Sequence, residues 1–192
     1  MTQRQEHKRR YRKWIILAAV ALSSVWCART LFWRPPFNPA KVARAETQLW
    51  QAYYSDDKTK LGLSVIALLR RQYGLSPFEA KEIGELLAGS ALAFRSSHGN
   101  YESVALPILT KAYQQIRQAT GASFDAEKAA SAELAWWVAR RTQGQNSAEQ
   151  VGQRIGELYA VLYGRDSPAF TEAGILRAEA AQLRDSGGKH AD

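Results

Sequence analysis

Between Lys8 and Arg34 the chain reads KRRYRKWIILAAVALSSVWCARTLFWR, and this stretch restricts the fold more than any other. From Trp14 to Trp33 it carries one charge, Arg29. A helix rises about 1.5 Å per residue, so a run of this length covers roughly 30 Å, the thickness of a bilayer's hydrocarbon core. Tyr11 and Trp14 stand at one end and Phe32 and Trp33 at the other, the usual places for interfacial aromatics. Arg29 lies about one turn from the far end, within snorkelling reach of the headgroups. The stretch is therefore expected to be a single transmembrane anchor over 14–33, with the lipid bilayer as its partner. Small residues at Ala19, Ser23 and Ser24 offer a face on which two such helices can approach, so a homodimer is one arrangement open to it.

The charge flanking the span sets its orientation. Arg4, Lys8, Arg9, Arg10, Arg12 and Lys13 precede it, and only Arg34, Lys41 and Arg44 follow closely. The more basic flank stays in the cytoplasm, which places residues 35–192 on the far side. The abundance of alanine and arginine suggests a bacterial inner membrane; the alternative is a helical domain facing the cytoplasm. A cleaved signal peptide fits poorly, because cutting after Ala28 or Ser24 leaves Trp26 or Leu22 where a small residue is needed. Cys27 follows Trp26, which is equally wrong for a lipid-modified cysteine.

The net charge of +8 points toward nucleic acid until it is divided along the chain. Residues 1–34 carry +7 of it and the rest only +1, so the basicity belongs to the topology signal and no nucleic-acid partner is expected. One cysteine, Cys27, excludes an intrachain disulfide and a cysteine-based metal site.

The segments are then a basic stretch (1–13), the anchor (14–33), a proline-rich connector (34–39), a helical domain (40–185) and a disordered polar tail (186–192). Arg34-Pro35-Pro36-Phe37-Asn38-Pro39 reads as a stiff spacer setting the domain off from the bilayer. Beyond it every segment has helical period. One helix is expected over 40–72, bending near Ser55–Lys60, with Gly74 as its stop. Ser76-Pro77-Phe78-Glu79 combines a cap, a first-turn proline and a capping-box glutamate. Tyr101–Ala119 is helical, kinked or delayed by Pro107. Asp125 or Ser123 caps the next helix, Ser147-Ala148-Glu149-Gln150 opens another, and Ser167-Pro168 opens the last. No stretch alternates with period two. The fold class is all-α: a single transmembrane helix, then one compact bundle of about five or six helices packed as antiparallel neighbours.

Three glutamates stand among alanines and large aromatics: Glu46 four residues before Trp50, Glu133 four before Trp137, and Glu179 between Ala178 and Ala180. Carboxylates in such settings can act as general acids or bases. Equally, they can pair with Arg44, Arg140 or Arg177, or with Tyr and Trp donors, and fix helix register. A di-iron site needs Glu-x-x-His, and neither His7, His98 nor His190 supplies it, so no metal or cofactor is expected. Ser96-Ser97-His98 places hydroxyls beside an imidazole without the oriented base that a nucleophile needs. Gly152-x-x-x-Gly156, with Gly84 and Gly89, indicates close helix approach, with Trp136 as the expected bulky neighbour. Tyr53, Tyr54, Trp136, Trp137, Tyr159 and Tyr163 form a contact patch if exposed and core if buried.

These features suggest a membrane-anchored interaction or scaffold module that binds a protein. The alternatives are an envelope enzyme working through Glu46, Glu133 or Glu179, and a helical domain holding an apolar ligand in an enclosed cavity.

Overall fold

A computed structural model describes residues 3–55 and 57–187, with side chains described at 13–28, 33–52, 55, 57 and 59–183. Among these residues the chain forms nine helices and no strand. The first, α1, is Gln3–Phe32, and α2 is Pro39–Tyr54. The single bent helix expected over 40–72 is two, because the chain breaks after Tyr54 and restarts as α3, Lys58–Tyr73. There the Asp57 side chain accepts from the Lys60 amide at 2.9 Å, a local bond that favours a fresh helix start over continuation. Gly74 ends α3 in the left-handed conformation, at φ 65°.

Helix α4, Pro77–Ser96, begins as its sequence implies. Ser76 Oγ accepts from the Glu79 amide, and the Glu79 carboxylate accepts from the Ser76 amide at 2.8 Å. Pro107 then delays a helix, since its missing N–H and its ring are tolerated only in a first turn. The result is a single turn, α5 (Tyr101–Val104), followed by α6 (Leu106–Thr120). Asp125 caps α7 (Ala126–Arg141) through the Glu127 and Lys128 amides, and Ser147 caps α8 (Ala148–Tyr163). Helix α9 runs Pro168–Gly187, so the expected tail is helical at its start; residues 188–192 lie outside the described region.

Short connections fold each long helix back on its neighbour, α2 on α3 and so on to α8 on α9. The main core lies where α3, α4, α6 and α7 meet, around Leu75, Ile83, Leu109, Ile116 and Leu134. A smaller one, with Val151, Ile155 and Ala178, joins α7, α8 and α9, and Trp136 packs against both. Arg141, in the last turn of α7, donates to the Phe94 carbonyl at 2.9 Å and lies 4.2 Å over the Phe94 ring. It thereby adds a charged donor to the carbonyl that the Ser97 amide and hydroxyl also cap at the end of α4.

Two expectations change. Among the described residues no helix is long and apolar enough to cross a membrane. In α1 the described side chains end at Ala28, about 24 Å of helix at 1.5 Å per residue, and 29–32 of the expected 14–33 span lie outside them. The connector, in turn, does not stand free. Arg34 donates to the Ala119 carbonyl (2.8 Å) and to Glu79 (2.7 Å), and Arg70 donates to the Trp33 carbonyl (3.0 Å). Trp33 and Arg34 are bonded into the bundle at the α3–α4 turn and the end of α6.

Candidate functional site

The charged and aromatic residues of interest meet along α7 and the helices that flank it. Glu133 is half-buried, and its two carboxylate oxygens accept from different donors. Tyr113 of α6 donates to Oε2 at 3.0 Å, and Trp137, one turn along α7, donates to Oε1 at 3.0 Å. Burial first, and the Glu133 charge second, push the Tyr113 hydroxyl well above the ordinary tyrosine range, so it stays a donor. Tyr73, at the end of α3, is raised by the same two causes.

Arg177 of α9 occupies the other side. Its Nε lies 3.4 Å from Glu46 of α2, its Nη1 lies 3.5 Å from the Tyr159 hydroxyl, and its guanidinium stands 5.6 Å from the Trp136 ring centre. Burial opposes the charge of Arg177, but Tyr159, Glu46 and Glu133 outweigh it and raise the guanidinium above the usual range. One arginine thus joins the first and last helices of the bundle through a half-exposed ion pair and a cation–π contact.

Glu46 and Glu133 both act on Arg177, whereas Glu179 stands apart from them. Glu133 is satisfied by a phenol and an indole, Glu46 pairs with Arg177, and Glu179 is exposed on α9. Glu133 and Glu46 therefore serve as acceptors that hold helices together. Ser96 and Ser97 donate to carbonyls of their own helix, at Leu92 and Phe94, while His98 is exposed. Among the described residues no three metal-ligating side chains come together.

The candidate contact residues divide. Trp136 and Trp137 are half-buried, meet edge to face at 6.1 Å, and belong to the packing of the core. Tyr159 is half-buried beside Arg177. Tyr163 is 64% exposed and stacks on Phe170 of α9 at 5.3 Å, with Arg165 5.7 Å over the same Phe170 ring. The side chains of Tyr53 and Tyr54 lie outside the described residues.

Sequence reasoning did not single out Tyr113, Tyr73 or Phe170. Tyr113 carried a usable signal, a polar-tipped aromatic among the apolar positions of an amphipathic helix, which requires a buried partner. Phe170 carried none. Against protein-family models, curated proteins and solved structures alike, the chain finds no match.

Proposed function

We propose that this chain is a membrane-anchored interaction module, in which α1 lies in a bilayer and the bundle presents an exposed aromatic surface to a protein. The observation that carries the reading is the surface of α1. Every described side chain from Lys13 to Ala28 is exposed, including Trp14 at 71% and Trp26 at 68%. These apolar residues face all directions around the helix, which water does not tolerate and lipid does. Ser24 adds support, since its hydroxyl donates to the Val20 carbonyl at 2.8 Å and so needs no water. The six basic residues before Trp14 favour an amino terminus in the cytoplasm and a bundle outside it, at an inner membrane if the source is bacterial. On the bundle, the Tyr163–Phe170 stack with Arg165 combines the residue types that dominate protein contacts.

Alkaline carbonate extraction of membranes carrying a carboxyl-terminally tagged chain tests the anchor. Retention in the pellet is expected, and release into the supernatant refutes the anchoring. Protease added to osmotically opened cells then tests the side: cleavage of the bundle places it outside, and protection until detergent is added reverses the orientation.

A further inference from the structure

The bonds that tie α1 to the bundle carry a consequence for where the bundle sits. The Trp33 carbonyl accepts from Arg70, and Arg34 donates to Glu79 and to the Ala119 carbonyl. Arg70 itself also donates to the Leu75 carbonyl at 3.3 Å, so it clasps the α3–α4 turn and the end of α1 together. Pro35 closes on the same turn, its carbonyl oxygen lying 3.6 Å from where a Gly74 side chain would begin. Glu79 is a firm anchor for Arg34. Although its partial burial acts the other way, the Ser76 amide and hydroxyl and the Arg34 guanidinium hold its carboxyl below the ordinary range.

Two large apolar side chains at this end stand open. Phe37 is 65% exposed and Phe78, next to Glu79, is 58% exposed. Phe37 follows the end of α1 by five residues, at most about 18 Å of chain, and Phe78 adjoins Glu79, which holds Arg34. The headgroup zone on each side of a bilayer is itself about 5–7 Å deep, and aromatic side chains collect there. Lys41 in the first turn of α2 and Arg71 in the last turn of α3 add cations to this end beside the bonded Arg34 and Arg70. Glu79 and Glu82 of α4 are their acidic counterparts, and the basic excess favours phospholipid phosphates.

We propose that the end of the bundle formed by the connector and the α3–α4 turn is a phospholipid-contacting surface, with Phe37 and Phe78 seated in the headgroup zone beside Trp33. The proposal rests on the anchoring of α1 and goes beyond it, because an anchor alone leaves a bundle free to hang in water. Here the hydrogen bonds bring one chosen end down to the lipid and leave the far end of α4 in solution.

The test uses the full chain, with Cys27→Ser, in phosphatidylcholine–phosphatidylglycerol nanodiscs. Single cysteines replace Leu22 in α1, Phe78 at the proposed surface, and Leu92, an exposed leucine near the far end of α4. Each carries an environment-sensitive fluorophore, and quenching by lipids brominated near the headgroup or deep in the chain is compared. The expected pattern is deep quenching at Leu22→Cys, shallow quenching at Phe78→Cys several-fold stronger than at Leu92→Cys, and none above background at Leu92→Cys. Quenching at Leu22→Cys with a Phe78→Cys label as aqueous as that at Leu92→Cys overturns the lipid-contacting surface and leaves the anchor standing. An aqueous Leu22→Cys label overturns both. Adding Arg34→Gln to Phe78→Cys releases the turn, so its shallow quenching should fall toward the Leu92→Cys level while the Leu22→Cys signal persists; unchanged quenching overturns the role of the Arg34 bonds.

Discussion

Where α8 meets α9 the helices touch backbone to backbone, and where α6 meets α7 they are joined through a carboxylate. In the first seam Gly152, Gly156 and Gly174 supply absence: a side chain at Gly152 meets the Ile175 amide nitrogen at 2.5 Å, and one at Gly156 meets the Thr171 Cα at 2.9 Å. A side chain at Gly174 overlaps the Gly152 carbonyl outright. In the second seam Tyr113 of α6 donates across to Glu133 of α7, whose other oxygen accepts from Trp137 of its own helix. The first seam tolerates no added atom, whereas the second, packed by Leu109, Ile116 and Leu134, also fails when a bonding partner is removed. The same chain uses both within one bundle.

The contrast predicts a ranking of effects. Gly174→Ala should be the most damaging single change, by about 3 kcal/mol, because neither helix backbone can yield without parting the seam. Urea unfolding of the variant checks this, and parental stability would mean that α8 and α9 leave room for a methyl group between them. Glu133→Ala should cost about 2 kcal/mol, since it strands a phenol and an indole that lose their acceptor. In the same unfolding assay, a loss no larger than that of an exposed-site control removes Glu133 from the structural account.

The carboxylate seam also predicts a response to alkali that the glycine seam lacks. Tyr113 holds its proton above the unfolded tyrosine value of about 10, so its contribution is complete below that pH and drains away as pH rises, by up to about 1.4 kcal/mol per pH unit. Tyr73 acts in the same direction. Stability measured from neutral pH upward should therefore fall less steeply in Tyr113→Phe than in the parent; parallel curves would refute the assignment. The smallest effect has the opposite sign. Gly62 of α3 has nothing within 4 Å of where a side chain would start, so Gly62→Ala should stabilise by about 0.5–1 kcal/mol. A loss of stability there would show that glycine in this bundle is required for more than close approach.

What could be read from the sequence follows how far apart the interacting residues lie. The capping box at Ser76–Glu79 and the cap at Asp125 involve atoms within three residues of one another, and residue identity alone reveals them. The break after Tyr54 read only as a bend, because Asp57 competes with helix continuation over a single turn. The Gly152–Gly156 spacing announced a close approach, but its partner is the α9 backbone at Thr171, Gly174 and Ile175, not the bulk of Trp136. A glycine declares that something comes near without declaring what. The pairing of Glu46 with Arg177 joins the two ends of the bundle, and sequence offered Arg177 only as one of several candidates. For α1 the exposure of its apolar surface matches its composition, while its expected length as a span extends past the described side chains.

The Glu79 carboxylate takes the Arg34 guanidinium with one oxygen and the Ser76 amide with the other. It is therefore a mechanical joint as well as a cap. A pull along α1 does not first reach α2, the next helix in sequence. It enters through Trp33 and Arg34 into α3, α4 and α6 together, so the load is shared by the main core before the α2 end can peel. The end of α1 is thus coupled directly to α3, α4 and α6, three helices of the main core, while α2 is held separately, through α3 and the Glu46–Arg177 pair.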